Sequence, residues 1–227
     1  MDKYTEIADR AYLEFVDISD YIWKSPKLIE HETKSEITKL KTYFPDDENR
    51  RKLRWKFESN KLESVFPYLI SSGNLSCVLS ILETYLMILA LELEKDINIQ
   101  LSSFRGNGIN RIFCFFRKLE GINLEKSSHY HQINAAIKIR NCLLHASGML
   151  EWSKDAKELE RIQSSGTYLS NEHRNRRKNS GGEFNELCIV NSGFGKKIQV
   201  NNSYPHILSS YARDFIISLC QSASELK

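Results

Sequence analysis

Apolar residues recur every three or four positions along much of this chain, which is the spacing of one face of an α-helix. The first such run spans residues 2–24 and ends at Ser25-Pro26, because proline disfavours a helical residue before it. A less regular stretch follows, with a short helical piece near Lys34 to Tyr43. Residues 48–66 are then predicted to form a strongly basic helix. The apolar positions of the first helix are Tyr4, Ile7, Ala8, Ala11, Phe15, Ile18 and Ile22.

The central segment predicts a long helix with leucines alternately four and three residues apart, as in a helix that packs along one seam. Pro67 and Ser71-Ser72-Gly73-Asn74 are predicted to separate it from the basic helix. Residues 75–93 are apolar enough to suggest a membrane span, but Glu83 lies mid-segment, at a cost of about 2.5–3.5 kcal/mol on insertion scales. A buried core helix is the better prediction, and no membrane partner is expected. The seam consists of Leu75, Leu79, Leu82, Leu86, Leu89 and Leu93.

The second half of the chain adds shorter helices and one hairpin. Helices are expected at about 110–119, 128–145 and 153–163, and a loop at 164–182. LCIV and KIQV flank Asn191-Ser192-Gly193-Phe194-Gly195, which predicts a β-hairpin over residues 187–200. A last helix is expected from Ser203 or Tyr204 to about Ala223. The predicted fold class is all-α, an up-and-down helical bundle with a small β-hairpin inserted before the C-terminal helix.

The composition is that of one soluble globular domain. Of 227 residues, 41% are hydrophobic and 27% charged, and the net charge of +3 neither demands nor excludes nucleic acid. Five cysteines without a CxxC spacing indicate a reduced, cytoplasmic protein. His129-x-His131 is the only close histidine pair, and neither a metal site nor a cofactor is expected. Cysteines expected in apolar helical surroundings are Cys77, Cys114, Cys142 and Cys220.

The stretch Arg140-Asn141-Cys142-Leu143-Leu144-His145 carries the most specific chemistry in the sequence. Arginine is a permanent cation whose planar fork suits phosphate oxygens. Histidine has the unperturbed pKa nearest neutrality and therefore takes and gives protons there. Asn141 lies four residues before His145, on the same helix face, where it can orient that ring. Together these residues suggest cleavage of a phosphodiester without a metal.

This stretch resembles the Arg-x4-His motif of the HEPN superfamily (higher eukaryotes and prokaryotes nucleotide-binding domains). The family favours a polar residue directly after the arginine, and its members commonly carry a long apolar helix with a central acid upstream, as in SCVLSILETYLMILALELE. The resemblance covers about Leu75 to Leu150. It implies one HEPN-like domain over residues 1–227, with a core at about 75–150 plus the C-terminal helix 203–224. Residues 1–70 would then be an N-terminal helical extension.

The resemblance also implies an activity and partners. Many family members are metal-independent endoribonucleases in which two motifs meet around a two-fold axis in a composite cleft. The expectation is therefore a homodimer that cleaves RNA through attack of the 2′-hydroxyl, acting as a prokaryotic toxin or antiphage (abortive-infection-like) effector. An antitoxin or regulatory protein is a possible further partner. The alternatives are a non-catalytic HEPN-like module that binds RNA, nucleotide or protein, and a helical scaffold in which Arg140 caps a helix and His145 has no chemical role.

Three further features complete the candidate site. Glu83, an acid inside an apolar helix, is expected either to pair with Arg140 or orient His145, or to form a salt bridge elsewhere or reach solvent. Two basic clusters are candidates for RNA backbone binding, with a solvated surface as the alternative. Trp55 adds a stacking surface to the first cluster. The clusters are Arg50, Arg51, Arg54 and Lys56, and Arg174, Arg176, Arg177 and Lys178.

Overall fold

The computed structural model describes residues 2–97 and 99–226 and is helical apart from one hairpin, which confirms the predicted fold class. Short 3-10 turns at Leu101–Ser103, Leu124–Lys126 and Leu150–Trp152 connect several of the helices. The helices are α1 (Lys3–Lys24), α2 (Pro26–Tyr43), α3 (Glu48–Asn60), α4 (Phe66–Asp96), α5 (Gly108–Phe116), α6 (Tyr130–His145), α7 (Ala156–Ser165), α8 (Asn171–Asn179) and α9 (Ser203–Ser224), and the strands are β1 (Leu187–Ser192) and β2 (Gly195–Val200).

Helix α4 is the centre of the core and packs against α1, α5, α6 and α9. All six leucines of the predicted seam are buried. The helices nearest the two ends of the chain, α1 and α9, pack along each other, and Tyr4, Phe15 and Ile22 of α1 belong to the core. Within the described chain, α2 buries only Leu40 and α3 buries no residue. The strongly basic helix α3 therefore lies at the periphery.

The boundary predicted at Ser25-Pro26 is present, but the helix that follows is longer than expected. Helix α2 starts at Pro26 itself, where the missing N–H costs nothing because the first turn has no partner for it. It continues without interruption to Tyr43, so residues 27–33, predicted to be irregular, are helical. Proline here ends one helix and begins the next.

The predicted break between the basic helix and the central helix is absent. A π-helical turn over Lys61–Val65 joins α3 directly to α4, with the Phe66 N–H donating to the Lys61 carbonyl. This shift of the hydrogen-bond ladder lets Pro67, which has no N–H to donate, enter the first turn of α4. Gly73 faces open space, and the Ser71 hydroxyl donates to the Pro67 carbonyl at 2.7 Å. These residues are therefore accommodated in one continuous helix.

A buried polar link explains why α4 carries an asparagine among its leucines. The Asn74 amide donates to Asn202 Oδ1 at 2.8 Å and to Ser25 Oγ at 3.3 Å. Asn202 in turn donates to the Ile22 carbonyl at 2.6 Å. Because buried polar groups are costly unless paired, these contacts fix the junction of α1 and α2 against α4 and the start of α9.

The predicted hairpin is present, and its antiparallel register pairs Leu187 with Val200 and Ser192 with Gly195. The chain leaving α6 extends this sheet by a short bridge between Met149 and Lys197. The Gly148 carbonyl accepts a hydrogen bond from the Ile198 N–H at 2.8 Å. The hairpin is therefore attached to the segment that directly follows His145.

The continuous helix over Glu48–Asp96 is long and apolar enough to cross a membrane by length and composition alone. Half of its most apolar window is buried against the rest of the fold. Its exposed face carries Phe66, Leu69, Ile88 and Leu91 beside small and polar residues. Burial of this extent is expected of a helix in the core of a globular fold.

Candidate functional site

The Arg140–His145 motif occupies the last turns of α6. The helix buries Ile133, Ala136, Ile137 and Ile139 against the core and ends at His145. The chain then turns sharply through Ser147 and Gly148, both with positive φ, so that Met149 meets the hairpin. A Cβ on Gly148 would lie 2.9 Å from the Ile198 carbonyl oxygen, so glycine is required where the chain approaches β2. The motif is thus held between the core and the hairpin.

The three motif side chains lie on the solvent side of α6. Arg140 and Asn141 are half-buried and His145 is exposed. Arg140 Nε is buried without a hydrogen-bond partner among the described residues. Arg140 shares its face with Leu144, which is 52% exposed, and Asn141 shares the neighbouring face with His145. Arg140 and His145 are about 140° apart around the helix axis, at 3.6 residues per turn. No hydrogen bond joins them in the described structure.

The motif continues a polar strip that sequence reasoning did not identify. His131, Asn134 and Lys138 precede Asn141 and His145 at alternating steps of three and four residues, so all five lie along one face of α6. Beside its first half runs a groove of about 410 Å³ between α6 and α7. The periodicity of the polar positions in this helix would have indicated the strip.

Glu158 organises the charges of that groove. Lys138 Nζ lies 3.4 Å from the Glu158 carboxylate, and Arg161 donates to the same carboxylate at 2.8 and 2.9 Å. The hydrogen bonds from Arg161, with the positive charge of Lys138, lower the pKa of Glu158 to about 2. Two cations share one carboxylate, so these three groups together carry a net positive charge. That charge would attract an anionic ligand to the groove.

Glu83 lies at the N-terminus of α5 and not in a pair with Arg140. In the described chain its carboxylate forms no ion pair within 4 Å. A Cβ built on Gly108, the first residue of α5, would lie 2.8 Å from Glu83 Oε1. The expected contact with Arg140 is not formed among the described residues. Glu83 is half-buried and so reaches solvent, which is the alternative that the sequence left open.

The second basic cluster is helical, which corrects the prediction of a loop over 164–182. Ser170 caps α8, its hydroxyl accepting from the His173 N–H. The glycines that suggested a loop flank this helix, Gly166 at the end of α7 and Gly181-Gly182 after α8. Arg176 pairs with the exposed Glu172, whereas Arg177 pairs with Glu186, which has no exposed surface. Arg174 donates to Asn171. Arg177 therefore stabilises the fold. Lys178 is the member of the cluster most available to bind a ligand from solvent.

The first basic cluster is divided in the same way. Arg51 donates to the carbonyls of Phe44 and Pro45 and so closes the end of α2. Arg50 lies 3.1 Å from the Asp47 carboxylate in the first turn of α3. Arg54 and Lys56 form no ion pair with a described residue and are exposed. Within this cluster, Arg54 and Lys56 are therefore the cations most available to bind a phosphate.

Two histidines meet around Tyr211 in an arrangement that the sequence did not predict. The His129 ring stacks on Tyr211 with centroids 4.3 Å apart, and the Tyr211 hydroxyl lies 2.6 Å from His173 Nδ1. Burial lowers the pKa of both histidines, while Asp214, 3.8 Å from His129, acts in the opposite direction. His131 points away to solvent, and no described cluster has three potential metal ligands. The cluster anchors α8 to α6 and α9.

The described cysteines are all free thiols. Cys142 and Cys220 are buried as expected, and burial raises the pKa of Cys220 to about 12. Cys77 and Cys114 are exposed, which corrects the expectation that they pack in apolar surroundings. Both lie on the outer faces of their helices, since an apolar helical sequence alone does not determine which face is buried.

Comparisons with known proteins complete this description. No protein-family model, curated protein or solved structure matches the chain at a significant level.

Proposed function

We propose that this protein is a metal-independent endoribonuclease of the HEPN type that acts as a homodimer. The observation that carries the proposal is that an exposed His145 follows, five residues on, a half-buried Arg140 whose buried Nε has no partner among the described residues. A buried guanidinium nitrogen left without an acceptor is costly, and a change of the Arg140 rotamer that brings the guanidinium to a phosphate oxygen would satisfy it. Asn141 lies on the face of His145, where its amide can orient the imidazole.

The reaction uses the nucleophile that RNA itself carries. His145 takes the proton of the 2′-hydroxyl, the 2′-oxygen forms a bond to phosphorus, and the bond to the 5′-oxygen breaks. Arg140 offsets the negative charge that develops on the phosphoryl oxygens. A second group must protonate the leaving 5′-oxygen. The products are a 2′,3′-cyclic phosphate and a 5′-hydroxyl.

A second copy of the chain is proposed to supply that group. Within one chain Arg140 and His145 point in directions about 140° apart, so one helix does not converge them on a phosphate without bending the arginine stem around it. Two copies of α6 around a two-fold axis would bring two arginines and two histidines to one cleft, one histidine as base and the other as acid. The exposed Leu144 beside Arg140 gives this face an apolar contact for the partner.

We infer from the same motif that the biological role is that of a prokaryotic toxin or antiphage effector in the cytoplasm, with an antitoxin or regulatory protein as a possible partner. The second candidate function is a non-catalytic module that binds RNA, nucleotide or a protein. The polar groove beside Lys138 and Arg161 favours it, because that groove suits an anionic ligand whether or not cleavage follows.

Incubation of the pure protein with total RNA in excess EDTA separates these functions. Cleavage that survives chelation supports the ribonuclease. Binding without cleavage supports the non-catalytic module. If RNA is neither cleaved nor bound, the protein is a helical scaffold without a nucleic-acid role. A parallel reaction with His145→Ala excludes a contaminating nuclease.

A further inference from the structure

Two aromatic side chains project into solvent just beyond the motif. Trp152, at the end of the 3-10 turn after α6, is 68% exposed, and Phe194, at the tip of the hairpin, is 87% exposed. Phe194 is the most exposed large hydrophobic side chain among the described residues. An aromatic side chain normally buries a large area in a fold, so this exposure is not explained by packing within the chain.

The two segments that carry these rings are fastened to each other. The Glu151 carboxylate accepts a hydrogen bond from the Lys196 N–H at 2.9 Å. Gly195 approaches the same carboxylate so closely that a Cβ on it would lie 2.7 Å from Glu151 Oε1, and its φ of +120° also requires glycine. Trp152 and Phe194 are the chain neighbours of these contacting residues. The two segments that carry the rings are therefore held against each other.

The hairpin tip is also fixed internally. The Ser192 hydroxyl accepts from the Phe194 N–H at 3.2 Å and donates to the Gly195 carbonyl at 2.8 Å. Lys196 Nζ lies 2.7 Å from Glu160 on α7. An exposed ring on a fixed turn is preorganised, because binding does not have to order the backbone that carries it.

The charges near the rings favour a polyanion as the occupant. Lys154 and Lys157 follow Trp152 in the chain, are exposed and form no ion pair with a described residue. The acid next to Trp152, Glu151, is already engaged by the Lys196 N–H at 2.9 Å. Asn191, Gly193 and Lys196, around Phe194, are polar or small, so the rings do not lie in a continuous apolar patch of the kind that a protein partner covers. Exposed aromatic faces accompanied by free lysines are typical of surfaces that stack unpaired bases.

We propose that Trp152 and Phe194 form a stacking platform for unpaired bases of a single-stranded RNA segment that adjoins the phosphodiester bound at the motif. RNA is taken as the ligand here because this proposal rests on the proposed function. The platform adds that the substrate is single-stranded RNA in preference to duplex RNA. The platform lies seven residues beyond His145, and the bond between Gly148 and Ile198 holds the hairpin at that point. It also gives the hairpin a role.

The test uses the full chain with His145→Ala, so that RNA stays intact, and a short oligouridylate as the probe. Phe194→Ala and Trp152→Ala should each weaken oligouridylate binding by about 5- to 150-fold, which corresponds to the usual contribution of one stacked base. Phe194→Tyr and Trp152→Phe should restore binding, because they keep an aromatic face. Leu28→Ala, which removes an equally exposed apolar side chain from α2, is the matched control and should change nothing.

Fluorescence reports the contact directly. In a chain with Trp23→Phe and Trp55→Phe, Trp152 is the remaining tryptophan, and oligouridylate should quench it while duplex RNA of equal length should not. The platform is overturned if both alanine variants bind oligouridylate as tightly as the parent chain and Trp152 is not quenched. The exposed rings would then be assigned to a contact with a protein. Quenching of Trp152 in the single-tryptophan chain, with no cleavage by the wild-type protein in EDTA, would retain the platform and reject the ribonuclease. Cleavage without quenching would do the reverse.

Discussion

Arg177 of α8 pairs with Glu186, a carboxylate that has no exposed surface and lies just before β1. The second carboxylate oxygen of Glu186 accepts from the Tyr168 hydroxyl at 3.1 Å. Burial, with the negative charge of Glu186, raises the pKa of Tyr168. A cation from a cluster expected to bind RNA thus serves instead to neutralise a buried charge.

The first prediction follows from that pair. Arg177→Ala should lower the free energy of unfolding by about 2–4 kcal/mol, because it leaves a buried carboxylate with one neutral partner. The loss should fall short of that for a fully enclosed pair, since Arg177 is itself 42% exposed. Arg176→Ala, which breaks the exposed pair with Glu172, should cost no more than about 0.5 kcal/mol. Denaturant unfolding of both variants measures the difference, and equal losses would reject a structural role for Arg177.

The second prediction concerns RNA binding by the rest of that cluster. Neutralising Arg174, Arg176 and Lys178 together, with Arg177 kept, should weaken RNA binding with little loss of stability. Each lost phosphate contact should flatten the log–log salt dependence of affinity by about 0.7 for a single-stranded substrate. Affinity measured across a salt series for wild type and the triple variant decides the point. Parallel slopes would make α8 a solvated surface and direct attention to Arg54 and Lys56.

The third prediction is a loss of stability at mildly acid pH. Burial lowers the pKa of His129, His173 and His206 below the value of about 6.5 that an unfolded chain gives. Below that pH the unfolded state binds more protons than the folded state, so the free energy of unfolding must fall as the pH drops from about 6.5. His129→Gln with His173→Gln should make the curve shallower between about pH 6.5 and 5. If the free energy of unfolding of the double variant depends on pH as steeply as that of wild type, His129 and His173 do not cause the loss of stability.

The fourth prediction concerns assembly. Leu144→Asp should weaken the proposed dimer, because it places a charge on the apolar contact beside Arg140, and activity should fall in parallel with dimer content. Leu28→Asp, at an exposed leucine on α2, is the matched control. Sedimentation velocity and RNA cleavage are measured over the same concentration series. A wild-type monomer at micromolar concentration that still cleaves RNA would argue decisively against a composite site.

The core was predictable because its pattern is long and regular. The leucine seam of α4, the run of apolar residues in α1 and the hairpin around Gly193-Phe194 each repeat one physical rule over many residues. The failures lie where local composition and tertiary contacts disagree. Pro67 and Gly73 suggested a break, but a π-helical turn absorbs the proline, and no single-residue propensity encodes such a turn.

The candidate site was only partly predictable, for a similar reason. The spacing from Arg140 to His145 is a one-dimensional pattern, so it was visible, as was the shared face of Asn141 and His145. Pairings between distant segments were not visible. Arg177 with Glu186 and His129 with Tyr211 depend on how α8 and α9 pack, and nothing in the sequence near either residue indicates its partner.

The fifth prediction states what each motif residue contributes to cleavage. Arg140→Ala should lose nearly all activity, since Arg140 is the residue proposed to offset the charge on the scissile phosphate, and Asn141→Ala should lose part of it. Both should remain folded, because neither side chain belongs to the buried core. Circular dichroism and thermal unfolding check the fold beside the cleavage assay. Full activity in Arg140→Ala would contradict the proposal that Arg140 binds the phosphate.

The most direct test of the central claim compares two histidines on one face of α6. Wild type, His145→Ala and His131→Ala are incubated in EDTA with a defined RNA, and the new ends are identified. Both histidines are exposed, so both variants should fold normally. We expect 2′,3′-cyclic phosphate ends from wild type and His131→Ala and no cleavage by His145→Ala. Undiminished cleavage by His145→Ala would contradict the central claim.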